Sequence, residues 1–265
     1  MSSELLRRSI SGSVYAALWL LSAWRGGLPF MAALVFFSTM ALREFYRMAS
    51  RYGAISKEMG YLGLWAMCVV AYWSSSLRWS IYTVMFVPMA VAVKEVLAQG
   101  RRTFVAYDMG LTLVGLVYCG LSLCSLWVLR LAPDGSTWVS FLLLVTWGCD
   151  VFAYLVGRYL GRHPLAPAIS PRKSWEGLVG GCLGSLAVSA AFALSLDKPI
   201  LPILGMAFIL ALWGQLGDLA ESLMKRQVGL KDSGSLMPGH GGVMDRLDSL
   251  LFNAPLFLLL VDLLS

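Results

Sequence analysis

Charge is scarce in this sequence. Only 14% of its 265 residues are Asp, Glu, Lys or Arg, against roughly 25% in a soluble globular domain. Hydrophobic residues make up 58% and the mean hydropathy is +0.72. Such a chain cannot cover its surface with polar groups, and its apolar residues come in long runs. That excludes a soluble α/β enzyme, a secreted disulfide scaffold and a disordered tail. Histidine is nearly missing, with only His163 and His240, and there is no Ser/His/Asp order, GxSxG elbow or HExxH pair to support a hydrolase or zinc protease. The five cysteines (Cys68, Cys119, Cys124, Cys149, Cys182) are odd in number and lack metal-ligand spacing, so they read as packed lipid-phase residues. No basic run exceeds two residues and none interleaves with aromatics, so the net charge of +6 does not describe a nucleic-acid surface.

What is present is a series of apolar runs. Measured against the roughly 20 residues that cross a bilayer, nine candidates stand at about 10–24, 28–42, 60–77, 79–97, 104–129, 137–157, 175–196, 199–221 and 247–264. The first two are short, so the expectation is an all-α polytopic membrane protein of about nine spans, with a range of eight to ten. The first run follows Arg7 and Arg8 as a signal peptide would, but the further spans make it a retained helix. With the N-terminus inside, the inner segments hold Arg7, Arg8, Arg43, Arg47, Arg51, Lys57, Lys94, Arg101, Arg102, Arg158, Arg162, Arg172, Lys173, Lys225, Arg226, Lys231 and Arg246. The outer segments hold only Arg25, Arg78, Arg130 and Lys198, a bias that fixes orientation. No repeat or linker marks a second domain, so residues 1–265 are expected to form one membrane domain, with N-terminal helices in 1–130 and the chemistry in 137–264.

Three acids lie beside or within apolar runs, where a carboxylate is costly enough to suggest function. Asp218 sits roughly 27 Å along the eighth span counted from Ile200, Asp245 just before the ninth, and Asp150 roughly 12 Å before the end of the sixth. All belong to the cytoplasmic half. Asp218, Ser222 and Lys225 share a helix face with Glu221 beside them, and Asp245 and Asp248 are i, i+3 neighbours. Carboxylates from two helix ends suit a hard cation such as Mg2+, which takes one or two of them and keeps places for phosphate oxygens. The other reading pairs Asp218 and Asp245 with Lys225 and Arg246 as interfacial anchors.

Two inner loops differ from the rest. Residues 225–242 carry glycines at 229, 234, 239, 241 and 242, which let backbone N–H groups approach an anion, and Lys225, Arg226, Lys231 and Arg246 frame the loop. It is neither a Walker loop nor a GxGxxG fingerprint, and it could also be an ordinary inner loop. His240 within it is a turn residue or a phosphate donor, since no second ligand is spaced to join it in a metal site. The other loop, 157–177, contains Ser170 and Pro171, an N-cap and first-turn pair for the seventh helix. Arg172 and Lys173 would then face the unfavourable end of the helix dipole, and a bound anion would reconcile them.

Together these segments resemble a known family. The stretch from Ser222 through Lys225, Arg226, Lys231, Asp232, Pro238, Gly239, His240, Gly241, Gly242, Asp245 and Arg246 to Asp248 is similar to the signature of phosphatidate cytidylyltransferases, with Met237 where Leu or Ile is commoner. Asp150-x-x-Ala153-Tyr154-x-x-Gly157 and Ser170-Pro171-x-Lys173-Ser174-Trp175-Glu176-Gly177 resemble the family's upstream motif. Upstream of residue 130 the likeness is confined to hydropathy and the Arg43-Glu44-Phe45-Tyr46 patch.

The resemblance implies transfer of CMP from CTP to phosphatidate in the cell (inner) membrane, giving CDP-diacylglycerol and pyrophosphate, by an all-helical homodimer that uses Mg2+ and a second, monovalent cation, K+. It implies that Asp218 and Asp245 ligate the cation with Asp248 and Ser222 nearby, and that Lys225, Arg226, Lys231 and Arg246 clamp CTP or phosphatidate. Ser170, Lys173, Asp232, Gly239, His240, Gly241 and Gly242 would meet the substrates' phosphates. Asp150 and Glu221 would stand behind them, Asp150 equally as a helix-packing acid. No nucleic acid is implied. Two rivals differ in product: a transporter would leave CTP intact, and a CTP-using lipid kinase would release CDP. A cytidylyltransferase for an ether lipid would differ only in its acceptor.

Overall fold

The computed structural model describes residues 3–100, 104–237 and 241–264, with side chains from residue 10 to residue 263. Arg101, Arg102, Gly239 and His240, and the side chains of Arg7 and Arg8, lie outside the described residues. The described chain is nearly all helical: α1 (Ser3–Arg25), α2 (Gly27–Ala49), α3 (Lys57–Ser74), α4 (Leu77–Leu97), α5 (Val105–Gly115), a π segment (Leu116–Leu121), α6 (Ser122–Leu131) and α7 (Gly135–Leu160). A hairpin of β1 (Pro164–Ala166) and β2 (Ser170–Ser174) follows, then α8 (Trp175–Ser195), α9 (Ile200–Gln227), a 3-10 turn (Met244–Arg246) and α10 (Asp248–Leu264).

Each apolar run falls on a helix, and the helices often run past it: α2 continues to Ala49 and α9 to Gln227. Hydropathy marks the part that meets lipid, whereas the backbone hydrogen bonds carry on through polar turns. Among the described residues, six helical segments are long and apolar enough to cross a membrane by length and composition: α2, α4, the continuous 105–131 segment, α7, α8 and α9. Their outward residues are apolar, as on α4, where Phe86, Met89, Val93 and Val96 are all exposed at helical spacing. The chain is an integral membrane protein. All five cysteines are buried and none is in a disulfide.

The contacts divide the chain into two compact units, which interleave in sequence: Met1–Gly135 with Asp232–Leu247, and Ser136–Lys231 with Asp248–Ser265. In the first unit, buried Asp108 accepts hydrogen bonds from Ser56 N (2.5 Å), Ser56 Oγ (2.9 Å) and Thr112 Oγ1 (3.2 Å), tying the starts of α3 and α5. Tyr46 OH donates to Thr112 O at 2.8 Å, and Lys94 meets Glu58 at 3.1 Å. The ends of α2 and α4 therefore lie beside the starts of α3 and α5, as antiparallel neighbours must. At the opposite end Arg130 donates to the carbonyls of Ala23 and Trp24, which close α1. Between these ends, Trp19 stacks on Phe37 with ring centroids 4.8 Å apart.

In the second unit, glycine sets the helix spacing. A Cβ at Gly180 would meet Val156, one at Gly181 would meet Cys149 and Ala153, and one at Gly184 would meet Phe152, so α8 lies close against α7. Small residues at such spacing let membrane helices pack backbone to backbone. On α9, a Cβ at Gly214 would lie 2.7 Å from Asn253 Nδ2 and one at Gly217 2.8 Å from Asp248 O. Trp213 Nε1 donates to Phe252 O at 3.0 Å. These two glycines bring the start of α10 against the stretch of α9 that carries Asp218.

Candidate active site

In the second unit the polar groups form one connected line. Lys173, near the end of β2, places Nζ 2.7 Å from Asp218 Oδ2 and 3.0 Å from Gln215 Oε1. Gln215 Nε2 reaches Asp150 Oδ1 at 3.4 Å, and Ser222 Oγ donates to Asp218 Oδ1 at 3.3 Å. Asp248, at the start of α10, has the carboxylates of Asp218, Glu221 and Asp150 around it. Glu221 is fully buried and pairs with Lys225 at 3.2 Å. Four carboxylates thus share one region with two lysines, each lysine already paired to one of them.

The hairpin is what delivers Lys173. Pro164 pairs with Ser174 and Ala166 with Ser170 in antiparallel register. Ser170 and Pro171 are therefore strand residues, not the N-cap and first turn expected from the sequence. The cap is Ser174, whose Oγ accepts from Gly177 N at 3.1 Å. Arg172 and Lys173 precede the cap instead of lying in the first turn, and Lys173 has the Asp218 carboxylate as its partner. Two ion pairs that the sequence did not propose are present, Asp218 with Lys173 and Lys225 with Glu221. Arg226 donates to Ile169 O (3.4 Å) and Leu230 O (3.0 Å).

In the first unit, the loop before α10 is built around two acids. Asp245 accepts from Ser233 N, at 3.2 Å to Oδ1 and 2.9 Å to Oδ2, and from Gly242 N at 2.8 Å. Glu44, buried in the last turns of α2, accepts from Ser233 Oγ (2.8 Å), Val243 N (3.0 Å) and Met244 N (2.8 Å). Tyr15 OH donates to Arg246 O at 3.0 Å, leaving the Arg246 side chain exposed. Lys231 and Asp232 are exposed as well.

The match to known proteins is extensive. The model of the cytidylyltransferase family covers residues 6–264. A Bacillus subtilis protein named phosphatidate cytidylyltransferase is 32% identical over 274 residues, 99% of each chain. Proteins of the same name from Brucella abortus and Staphylococcus aureus are 37% and 31% identical, covering 97% and 96% of this chain and 93% and 98% of theirs. The chain belongs to the cytidylyltransferase family. It is accordingly a nucleotidyltransferase.

For a cytidylyltransferase, two residues, one in the polar network of each unit, carried no local signal of their own. Glu44 was legible only as part of the Arg43-Glu44-Phe45-Tyr46 patch, and Gln215 reads as one polar residue in an apolar run. The glycines also take a different meaning. Gly234 and Gly242 have no left-handed φ, but a Cβ on either would clash with the Glu44 carboxylate. Gly241 does have φ +87°, and a Cβ there would lie 2.7 Å from Asp245 Oδ2. The anions these glycines accommodate are the protein's own carboxylates, and the Gly242 N–H is already taken by one of them. Among the described residues no group of three His, Cys, Asp or Glu side chains is arranged to hold a metal. Mg2+ needs only one or two carboxylates besides phosphate oxygens. The all-oxygen acids around Asp218, in excess over their lysines, fit that demand.

Proposed function

We propose that the chain transfers the cytidylyl group of CTP to phosphatidate. A phosphatidate oxygen forms a bond to the α-phosphorus, the α–β bridging P–O bond breaks, and pyrophosphate leaves with CDP-diacylglycerol as the lipid product. The observation that carries the reading is full-length similarity to phosphatidate cytidylyltransferases, joined to a carboxylate cluster fronted by Lys173. The attacking phosphate monoester is largely dianionic near neutral pH, its second pKa being about 6, so no general base is required. That accounts for a site rich in acids and lysines. The obstacle is charge, and the chain meets it with positioned cations.

In this proposal Asp218 and Asp245 are the ligands of Mg2+ by motif position, with Asp248 and Ser222 near them. Asp150 and Glu221 hold Gln215 and Lys225 from behind. Bound there, Mg2+ would neutralise phosphate oxygens as a Lewis acid. A second, monovalent cation, K+, belongs to the same reading. Lys173 moves from Asp218 to a phosphate, and Arg226, Lys231 and Arg246 offer guanidinium and ammonium donors to the substrates, with Ser170, Asp232, Gly239, His240 and Gly241 at their margins. Lys225 acts through its buried pair with Glu221. The site faces the cytoplasm, whence CTP comes, and the N-terminus lies inside, an orientation supported by the bias of basic residues; nine spans and a dimer belong to the same reading.

The test is incubation of purified protein in detergent with phosphatidate, Mg2+ and cytosine-labelled CTP, followed by organic extraction. Label should enter the organic phase and stay aqueous with EDTA or in Asp245→Asn. Wholly aqueous label with wild type would overturn the assignment, and release of CDP from γ-labelled CTP would point to a kinase.

A further inference from the structure

We propose that Glu44 is a positioning residue for this reaction: its buried carboxylate ties Ser233 to Val243 and Met244 so that Asp245 and Arg246 are set before substrate arrives. The inference rests on the proposed role of Asp245. Glu44 draws its three donors from two parts of the loop, Ser233 on one side and Val243 and Met244 on the other. Ser233 is held from both directions, since its Oγ donates to Glu44 while its N–H donates to Asp245. Glu44, Ser233 and Asp245 are 7%, 1% and 8% exposed, so water does not replace these bonds at low cost.

The sequence makes room for this arrangement. Gly234 and Gly242 flank the carboxylate where any Cβ would clash with it, although neither has a backbone conformation that demands glycine. Two glycines kept for one side chain, and two backbone N–H groups aimed at it, describe a socket for a carboxylate. A carboxylate is also the side chain best able to accept three bonds at once. Glutamine at this position would turn an N–H2 group toward N–H donors.

The experiment uses the full chain in detergent and the variants Glu44→Gln, Gly234→Ala and Glu44→Asp with Gly234→Ala. Two readouts are compared with wild type: trypsin cleavage after Lys231 and Arg246, which reports opening of the loop, and turnover as a function of Mg2+, CTP and phosphatidate. Glu44→Gln should speed cleavage on the order of tenfold or more, because buried donors lose their acceptor. Its kcat should fall by about tenfold or more and the Mg2+ needed for half-maximal rate should rise, while KM for phosphatidate stays near wild type. Gly234→Ala should act alike by crowding Glu44, and shortening the acid in the double variant should restore slow cleavage and much of kcat.

Wild-type cleavage and Mg2+ dependence in Glu44→Gln would overturn the proposal. So would a double variant no better than Gly234→Ala, which also decides the matter should Glu44→Gln fail to fold. If wild type yields no lipid-linked cytidylate, the proposed function fails, whereas cleavage and its rescue still test the Glu44 socket.

Discussion

Replacing Lys173 with methionine should move two properties in opposite directions. Lys173 Nζ lies 2.7 Å from Asp218 Oδ2, and the two side chains are 18% and 26% exposed. Unit charges about 4 Å apart at an effective dielectric near 20 attract by roughly 4 kcal/mol. Partial access to water and the cost of ordering a long side chain reduce the net value to about 1–2 kcal/mol. A divalent cation approaching Asp218 must overcome that attraction, so Lys173→Met should bind Mg2+ or Mn2+ more tightly by roughly tenfold in the absence of nucleotide. Turnover should nevertheless fall by about a hundredfold or more, because a donor poised for developing phosphate charge is lost. Cation affinity can be read from Mn2+ electron paramagnetic resonance, or from the rise in unfolding temperature with cation concentration. Weaker cation binding in Lys173→Met, or turnover equal to wild type, would refute the reasoning.

Asp218→Asn and Asp245→Asn should each abolish lipid labelling. Only Asp245→Asn should also quicken trypsin cleavage after Arg246, since Asp245 alone accepts the Ser233 and Gly242 amides. Gly184→Leu should lower the unfolding temperature of the detergent-solubilised protein and cut its yield, as overpacking against Phe152 costs about 1–3 kcal/mol; an unchanged melt would mean that α7 and α8 do not pack as described. Lys57→Ala, at the start of α3, should keep turnover within about twofold, as changes away from buried networks generally do.

The helices were legible because each buries or exposes a run of apolar residues, a signal contained within about 20 positions. The acids were legible for a related reason, since a carboxylate in such a run stands out. Their partners were not. Asp218 pairs with Lys173 from a strand 45 residues earlier, and Glu44 binds groups 189, 199 and 200 residues away. Helical periodicity proposes i, i+4 partners, which finds Glu221 with Lys225 and Ser222 with Asp218 but none of these longer-range pairs. The hairpin was missed because Ser-Pro is an equally good opening for a helix or an edge strand. The glycines 234 and 242 resembled an anion cradle; in the fold the anion is Glu44, whose contribution no local window contains.

The partners of the acids differ in a way that bears on the order of events. Asp245 and Glu44 are held largely by backbone N–H groups, which can leave only if the loop moves. Asp218 is met by Lys173 and Ser222, side chains that can swing away by changing rotamer. An incoming cation therefore has an easier path to Asp218, and Lys173 is the group it displaces. The released ammonium would then be available to a phosphate that was not yet present, so cation binding should precede and favour CTP. Stabilisation of the protein by Mg2+ without nucleotide should vanish in Asp218→Asn and persist in Asp245→Asn. CTP affinity should rise with Mg2+ in wild type and lose that dependence in Lys173→Met. Were Mg2+ to stabilise Asp218→Asn as it does wild type, the first encounter would lie elsewhere and Lys173 would be a static counter-ion.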